Sequence, residues 1–251
     1  VYDVATMNRL IALSYSPWSE KARWGLRHHG VPHREVEYVP MLGTPWLRLT
    51  TRRFSGRVTV PALVAESGEV VMDSCDIARW AEAHGQGAAL FPAQHLDAIL
   101  HWNDRSERIL AAGRALATRR TSDDADAQLE ALPKFIPDAV RTVARPMAQM
   151  GVRYFTLKYD LGAGTEAERL EAIRNELLAL RQGLSGGETL WGPFTFAELS
   201  MAVALQFVRP VEGFRPTLAP ATRRCWTQPD LAREFADLLE WRDTVYARHQ
   251  P

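Results

Sequence analysis

Up to Gly85 the chain reads as strand, helix, strand, loop, strand, strand, helix, and nothing after it reads as a strand. That order admits few folds. Strands alternating with helices mark an α/β arrangement in this first third. The first strand is the apolar run of Leu10, Ile11 and Leu13, and the second is REVEYV, where Val36 and Tyr38 alternate with polar neighbours. From Pro40 to Thr59 runs a polar loop carrying Arg48, Arg52, Arg53 and Arg57. VPALVA (60–65) and EVVM (69–72), parted by Ser67-Gly68, form the hairpin. DSCDIARWAEAHG opens a helix at Asp73 or Ser74 and closes it near Gly85.

GQGAALFP (85–92) is a Gly- and Pro-containing connector after which the periodicity turns helical. The expected division is a first domain over 1–85, a linker over 86–92 and an all-helical domain over 93–251. In the second domain Leu96, Ile99, Leu100, Ile109, Leu110 and Leu116 recur near helical spacing. LEALPKFIPDAVRTVARPM holds three prolines and reads as broken helix. TEAERLEAIRNELLALRQGL lines up Leu170, Ile173, Leu177 and Leu180 on one face, and DLAREFADLLEWRDTVYARH reads as one last amphipathic helix. FTFAELSMAVALQFV is a core helix, announced by a Thr195-x-x-Glu198 capping box with Phe194 and Leu199 as a hydrophobic staple.

Three short stretches in the first domain carry chemistry. In SYSPWSEKARWGL, Pro17 suits the first helical position, which makes Ser16 the N-cap and Ser19 the N3 residue; Gly30 and Pro32 mark the end. The Ser16 hydroxyl either caps the helix or stabilises an anion held at its N-terminus. Ser14 and Tyr15 lie close enough to compete for that role. Val60-Pro61 starts a strand, where proline sits as an ordinary trans edge residue or adopts a cis bond that turns the backbone of Val60 toward an extended peptide ligand. Asp73-Ser74 opens a helix, so either residue is a good cap. The same backbone N–H groups with the Ser74 hydroxyl also suit a carboxylate, and Asp73 suits an ammonium.

The composition narrows the partners. Formal net charge is zero, so no overall field draws the chain to nucleic acid or to an acidic membrane. Cys75 and Cys225 are too far apart for a metal motif and too few for a disulfide framework. No secretion leader and no run of about 20 apolar residues is visible, which makes a soluble cytoplasmic protein the expectation.

A strand followed by S-P-W-S-x-K-x-R, then V-P-A-L, then a hairpin and D-S before a helix, then a helical half with a capping box, resembles the glutathione transferase superfamily. The resemblance spans essentially the whole chain and is firmest over 9–85 and the FTFAEL helix. It implies an α/β thioredoxin-like N-terminal domain that binds glutathione and an all-α C-terminal domain that binds the second substrate. Ser16 matches the serine or cysteine that contacts the glutathione sulfur, and Val60 the residue whose backbone pairs with the cysteinyl part. Pro61 matches the cis proline, and Asp73 and Ser74 match the acidic-Ser pair at the γ-glutamyl end. Arg57 is the guess for the glycyl carboxylate.

The function so implied is a transferase of detoxification. It uses glutathione as co-substrate, needs no metal, and activates the thiolate for attack on a small hydrophobic electrophile; a homodimer is implied as well. A hydroxyl at a helix N-terminus favours thiolate over thiol, which is the physical content of that match. Trp102, Met147, Tyr154 and Phe155 are candidates to line an apolar pocket or are plain core. The departures from the pattern are these: Ser16 and Ser19 replace the C-x-x-C of thiol-disulfide oxidoreductases, the loop 40–59 holds no motif that aligns, Glu198 stands where the family usually has Asp (a change the capping box tolerates), and 119–165 is longer and more proline-broken than the usual helix pair. A binding protein that keeps the fold without turnover, and another low-molecular-weight thiol in place of glutathione, fit the same residues.

Overall fold

The structure, a computed structural model, describes residues 7–132, 136–159, 161, 164–212 and 217–251. The opening six residues, which entered the reading for a leader, and part of the proline-broken stretch lie outside them. The chain divides into two compact units. One joins the residues up to Asn103 with 188–203 and 243–251; the other joins 104–187 with 204–242.

The first unit is built on a four-stranded sheet of order β2-β1-β3-β4. Strand β1 (Asn8–Ala12) runs through helix α1 (Pro17–His28) to β2 (His33–Glu37) as a parallel pair, Asn8 facing His33 and Ala12 facing Glu37. Strand β3 (Ala62–Val64) returns antiparallel to β1, with Ile11 opposite Ala62. Strand β4 (Val70–Met72) is antiparallel to β3, with Ala62 opposite Met72. Successive side chains of a strand point to opposite faces, and the core divides accordingly. Leu10, Ala12 and Leu63 meet Ala22 and Leu26 of α1 and Ile77 and Ala81 of helix α3 (Ser74–His84). On the other face Ile11, Ala62 and Val64 meet Tyr38, Leu47 and Val58. Helix α1 lies so close to α3 that a Cβ at Gly25 would come within 2.7 Å of the Ala78 Cβ.

The segment expected as a polar loop contains a helix, α2 (Thr44–Thr51). Pro45 opens it, Arg52 at φ 54° closes it, and only Leu47 and Thr51 are buried. A single buried turn gives too short an apolar repeat to be heard in the sequence. The hairpin forms as expected, with Gly68 at φ 86° and the Ala65 N–H donating to the Glu69 carbonyl at 2.8 Å.

The remaining helices are α4 (Leu96–Asp123), α5 (Ala125–Glu130), α6 (Asp138–Arg141), α7 (Arg145–Tyr159), α8 (Glu166–Leu184), α9 (Phe196–Ala204), α10 (Pro220–Trp226), α11 (Pro229–Glu234) and α12 (Ala236–His249). The proline-rich stretch is broken helix, as its composition requires. The C-terminal segment read as one helix is two. Phe235, fully buried, adopts φ −115° and ψ 36° and breaks the pairing between α11 and α12.

In the Thr195 box the Glu198 carboxylate accepts the Thr195 N–H at 2.8 Å. The Thr195 Oγ1 accepts from the Ala197 N–H at 3.3 Å, one position earlier than the expected Glu198. Glu198 also accepts the Leu190 N–H at 2.8 Å, which pins the preceding loop. A second, reciprocal box at Thr165 and Glu168 starts α8. In the second unit Glu176 of α8 accepts from Arg105 at 2.6 Å and from Arg108, both on α4. Glu130 of α5 accepts the Ala221 and Thr222 N–H groups at 3.0 and 2.6 Å, capping α10, whose own N-cap residue is an alanine.

Candidate functional site

The sheet register brings the sequence candidates to one edge. Ile11, Ala62 and Met72 form the last paired row across β1, β3 and β4, and Pro61 and Asp73 are the residues that adjoin it on β3 and β4. β1 and β4 run toward this edge and β3 runs away from it. The edge therefore holds the approach to α1 with Ser16, the entry to β3 with Val60-Pro61, and the start of α3 with Ser74. Neighbouring strands are about 4.8 Å apart, so three strands span roughly 10 Å, the scale of a short peptide. Both α1 and α3 start here and carry partial positive charge at their N-termini.

Ser16 is the N-cap of α1 with extended backbone (φ −77°, ψ 127°), and its side chain makes no capping hydrogen bond. Its backbone N–H donates to the Leu13 carbonyl at 2.9 Å, and its carbonyl accepts the Glu20 N–H at 2.9 Å. The residue is half-buried. Ser19, the other serine of the motif, is buried and accepts the Leu13 N–H at 3.1 Å, tying the strand end to the helix. Ser14 donates its backbone N–H to Glu37 at 3.1 Å. The Tyr15 phenol is pushed up to about 12, by burial first and by the Glu37 carboxylate second, although the residue as a whole is 37% exposed. It remains a neutral O–H at physiological pH.

The Val60-Pro61 bond is cis, and Val60 lies outside the β1–β3 ladder. Asp73 caps α3, its Oδ1 accepting the Cys75 N–H at 2.8 Å. Its φ of 79° and ψ of 141° are sparsely populated for a residue with a Cβ, a conformation that costs on the order of 1–3 kcal/mol. Ser74 is 1% exposed, and its Oγ has no hydrogen-bond partner. Burial first, then the Asp73 charge, push the Cys75 thiol up to about 12, so it is no nucleophile. Arg57 is exposed on the segment entering β3; the Arg48 guanidinium donates to the carbonyls of Arg53 (3.2 Å) and Gly56 (2.7 Å) just before it.

The sequence motif S-x-K-x-R proves to be internal. Lys21 is fully buried with its Nζ 3.2 Å from Asn103 Oδ1. Arg23 donates to Glu20 at 2.6 Å and to Glu35 at 3.0 Å, and Glu20 accepts from Gln250 at 2.6 Å. Trp24 is buried beside them, its indole N–H donating to the His249 carbonyl at 2.9 Å. These groups hold α1 in place. Their burial is invisible in a stretch that looks like a solvated helix face.

The pocket candidates scatter: Trp102 is half-buried on α4, Met147 is exposed on α7, and Tyr154 and Phe155 are half-buried there with rings 5.8 Å apart. In the second unit a cavity of about 340 Å³ is lined by Ser122, Gln128, Gln149, Val152, Arg153 and Thr156, none of them among the candidates. Among the described residues no three His, Cys, Asp or Glu side chains gather as a metal site, and no helix is long and apolar enough to cross a membrane.

Residues 15–84 match the family model for the glutathione S-transferase N-terminal domain. No curated protein matches the chain. Among solved structures, a β-etherase LigF from Sphingobium is 15% identical with a TM-score of 0.62, covering 96% of both chains. A glutathione S-transferase domain-containing protein from Marinobacter aquaeolei is 18% identical with a TM-score of 0.62, covering 96% of this chain and 98% of that one. A glutathione S-transferase from Methylobacillus flagellatus, solved with glutathione bound, is 14% identical with a TM-score of 0.60, covering 96% and 95%. The first domain thus matches a glutathione S-transferase N-terminal domain, and the chain as a whole shares the fold of these structures, a small four-stranded α/β domain followed by helices.

Proposed function

With a glutathione S-transferase-type N-terminal domain as premise, we propose that this protein binds glutathione at the edge shared by β1, β3 and β4 and activates its thiolate. One observation carries the reading: Ser74 holds a buried hydroxyl with no partner at the start of α3, on the edge where Ser16 leaves its own hydroxyl unused for capping. A buried hydroxyl without a bond costs about 1–3 kcal/mol, and a ligand carboxylate removes that cost.

Ser74 and the first N–H groups of α3 donate to the γ-glutamyl carboxylate, while Asp73 faces its ammonium. The backbone of Val60 pairs with the cysteinyl unit. Ser16 donates its O–H to the sulfur, and the N-terminus of α1 adds positive potential; both favour the thiolate. The thiol proton leaves to solvent, and the sulfur lone pair forms the new bond to an electrophilic carbon of a hydrophobic second substrate; the carbon's bond to its leaving group breaks and that group departs with the electron pair, or, in an addition, the π electrons move onto the conjugated acceptor and are protonated from solvent.

The domain assignment of 1–85 to glutathione and 93–251 to that substrate belongs to the same proposal, as do a homodimer and a cytoplasmic location. The test is retention on immobilised glutathione together with turnover of 1-chloro-2,4-dinitrobenzene and a panel of other electrophiles. Turnover that needs glutathione supports the reading. Retention without turnover makes the chain a binding protein, and no retention removes the tripeptide site. Light scattering near 28.2 kDa, the single-chain mass, would sink the dimer.

A further inference from the structure

Residues 138–159 of the second unit carry an apolar line that is largely exposed, with Tyr154 alone of its members half-buried. Val140, Val143, Met147, Met150, Tyr154 and Leu157 recur at intervals of three, four, three, four and three. Helices α6 and α7 keep them roughly in phase, because the Ala144 N–H donates to the Val140 carbonyl at 2.9 Å across the turn between the two. The buried side of the segment is a different one: Ala144 and Ala148 pack with Leu129, Leu132 and Ile136. On the line itself Val143, Met150 and Leu157 expose 82%, 59% and 73% of their surface, and Val140 and Met147 are exposed as well. Isolated apolar residues on a surface mean little, but a contiguous row of them marks an interaction site.

We propose that this row is a docking seam for an acidic amphipathic helix of another protein. The spacing selects a helix, since a repeat of 3.5 residues is what keeps two helices in register along a seam; a helix lying on a bilayer shows a broader apolar face. The charge selects the sign. Between Asp138 and Asp160 there is no acidic residue, and four cations are present: Arg141, Arg145, Arg153 and Lys158. Arg141 and Arg145 turn inward, donating to the Leu129 carbonyl at 3.0 Å and to Gln128 Oε1 at 2.8 Å. Arg153 and Lys158 occupy the positions flanking the seam on either side, where coiled coils place the charges that choose a partner; Arg153 is exposed, and the Lys158 ammonium lies 5.4 Å from the Tyr154 ring of the seam itself. A partner helix with glutamates at its own flanking positions meets both. A second copy of this segment brings only more cations.

The test titrates full-length protein into a fluorescein-labelled synthetic peptide of three heptads, with Ile and Leu on the seam and Glu on both flanks. A second peptide carries Lys in place of Glu. The Glu peptide is expected to saturate in the micromolar range and the Lys peptide not to bind. Met150→Glu is expected to weaken binding tenfold or more, Arg153→Glu severalfold. Both residues are exposed, so circular dichroism and melting should be unchanged; Met150→Gln serves as a milder second variant. Failure of the Glu peptide to bind, or equal binding of both peptides, overturns the proposal. A dimer that Met150→Glu dissociates assigns the row to a second copy. Sedimentation with phosphatidylglycerol vesicles that Met150→Glu abolishes assigns it to lipid. Either result overturns the proposal too.

Discussion

Ser74→Ala should make the protein more stable and a worse enzyme at once. The Ser74 hydroxyl is sealed from solvent and bonded to nothing, so its removal takes away a desolvation penalty of about 1–3 kcal/mol and leaves little else behind. The helix keeps its cap, because Asp73 holds the Cys75 N–H. After allowance for the small void, a gain of about 1 kcal/mol is expected, which in a chain of this size raises the melting temperature by roughly 2–4 °C. Binding moves the other way. A hydrogen bond to a charged acceptor is worth about 1.5–3 kcal/mol, so the Michaelis constant for glutathione should rise by about ten- to a hundredfold with kcat little changed. Differential scanning fluorimetry with and without glutathione reads both effects, because a ligand bound only by the folded state stabilises it by an amount that grows with the logarithm of its concentration over Kd. A lower melting temperature with an unaltered Michaelis constant would refute the reasoning and return Ser74 to a purely structural role.

Ser16→Ala should lower kcat by one to two orders of magnitude, about 1.4 kcal/mol per factor of ten, with glutathione affinity nearly constant; steady-state kinetics on saturating glutathione checks this. If activity survives, the sulfur contact passes to Ser14 or Tyr15. Burial would raise the Glu176 carboxyl, but hydrogen bonds from Arg108 and Arg105 hold it below its usual range, so its contribution is complete above about pH 4.5 and is lost as pH falls through the lowered value. Glu176→Gln should cost about 1–3 kcal/mol at pH 7 and flatten the acid limb of the stability curve, measured by urea melts from pH 3 to 7. Burial, then the neighbouring charges of His28 and Arg248, hold His249 below the usual histidine range. A histidine lowered in the folded state opposes folding as pH drops below about 6.5, so His249→Phe, which keeps the stack on Phe194, should lose less stability between pH 7 and 5 than the parent chain.

What could be read from the sequence was what local rules decide. The β-α-β-β-α order, the cap at Asp73, Ser16 at N-cap and the Glu198 half of the capping box each depend on residues a few positions apart, and each is present. Helix α2 escaped because it buries one turn only, and the break at Phe235 because a buried aromatic looks like any other helical core residue. The Thr165 box had the same T-x-x-E signature as Thr195 and went unread. Longer-range facts were out of reach in principle. Nothing near Lys21 announces a buried ammonium whose partner is Asn103, and nothing near Glu176 announces two arginines about 70 positions away. At the candidate site, each residue was nameable, but the strand register that pairs Ile11, Ala62 and Met72, and so brings the adjoining Pro61 and Asp73 to one end of the sheet, is a property of the folded sheet.

The bond from the Trp24 indole to the His249 carbonyl joins groups 225 positions apart, and its consequence concerns synthesis. Translation adds about 5–20 residues per second, so about 10–45 s separate the appearance of Trp24 from that of its acceptor. Throughout that interval the helix carrying Ser16 lacks the ring contact of Tyr246 and the amide of Gln250 on Glu20 as well. A nascent chain released early, or one tagged so that residues 246–250 cannot dock, therefore leaves a large aromatic face of α1 uncovered, open to chaperones or to other chains.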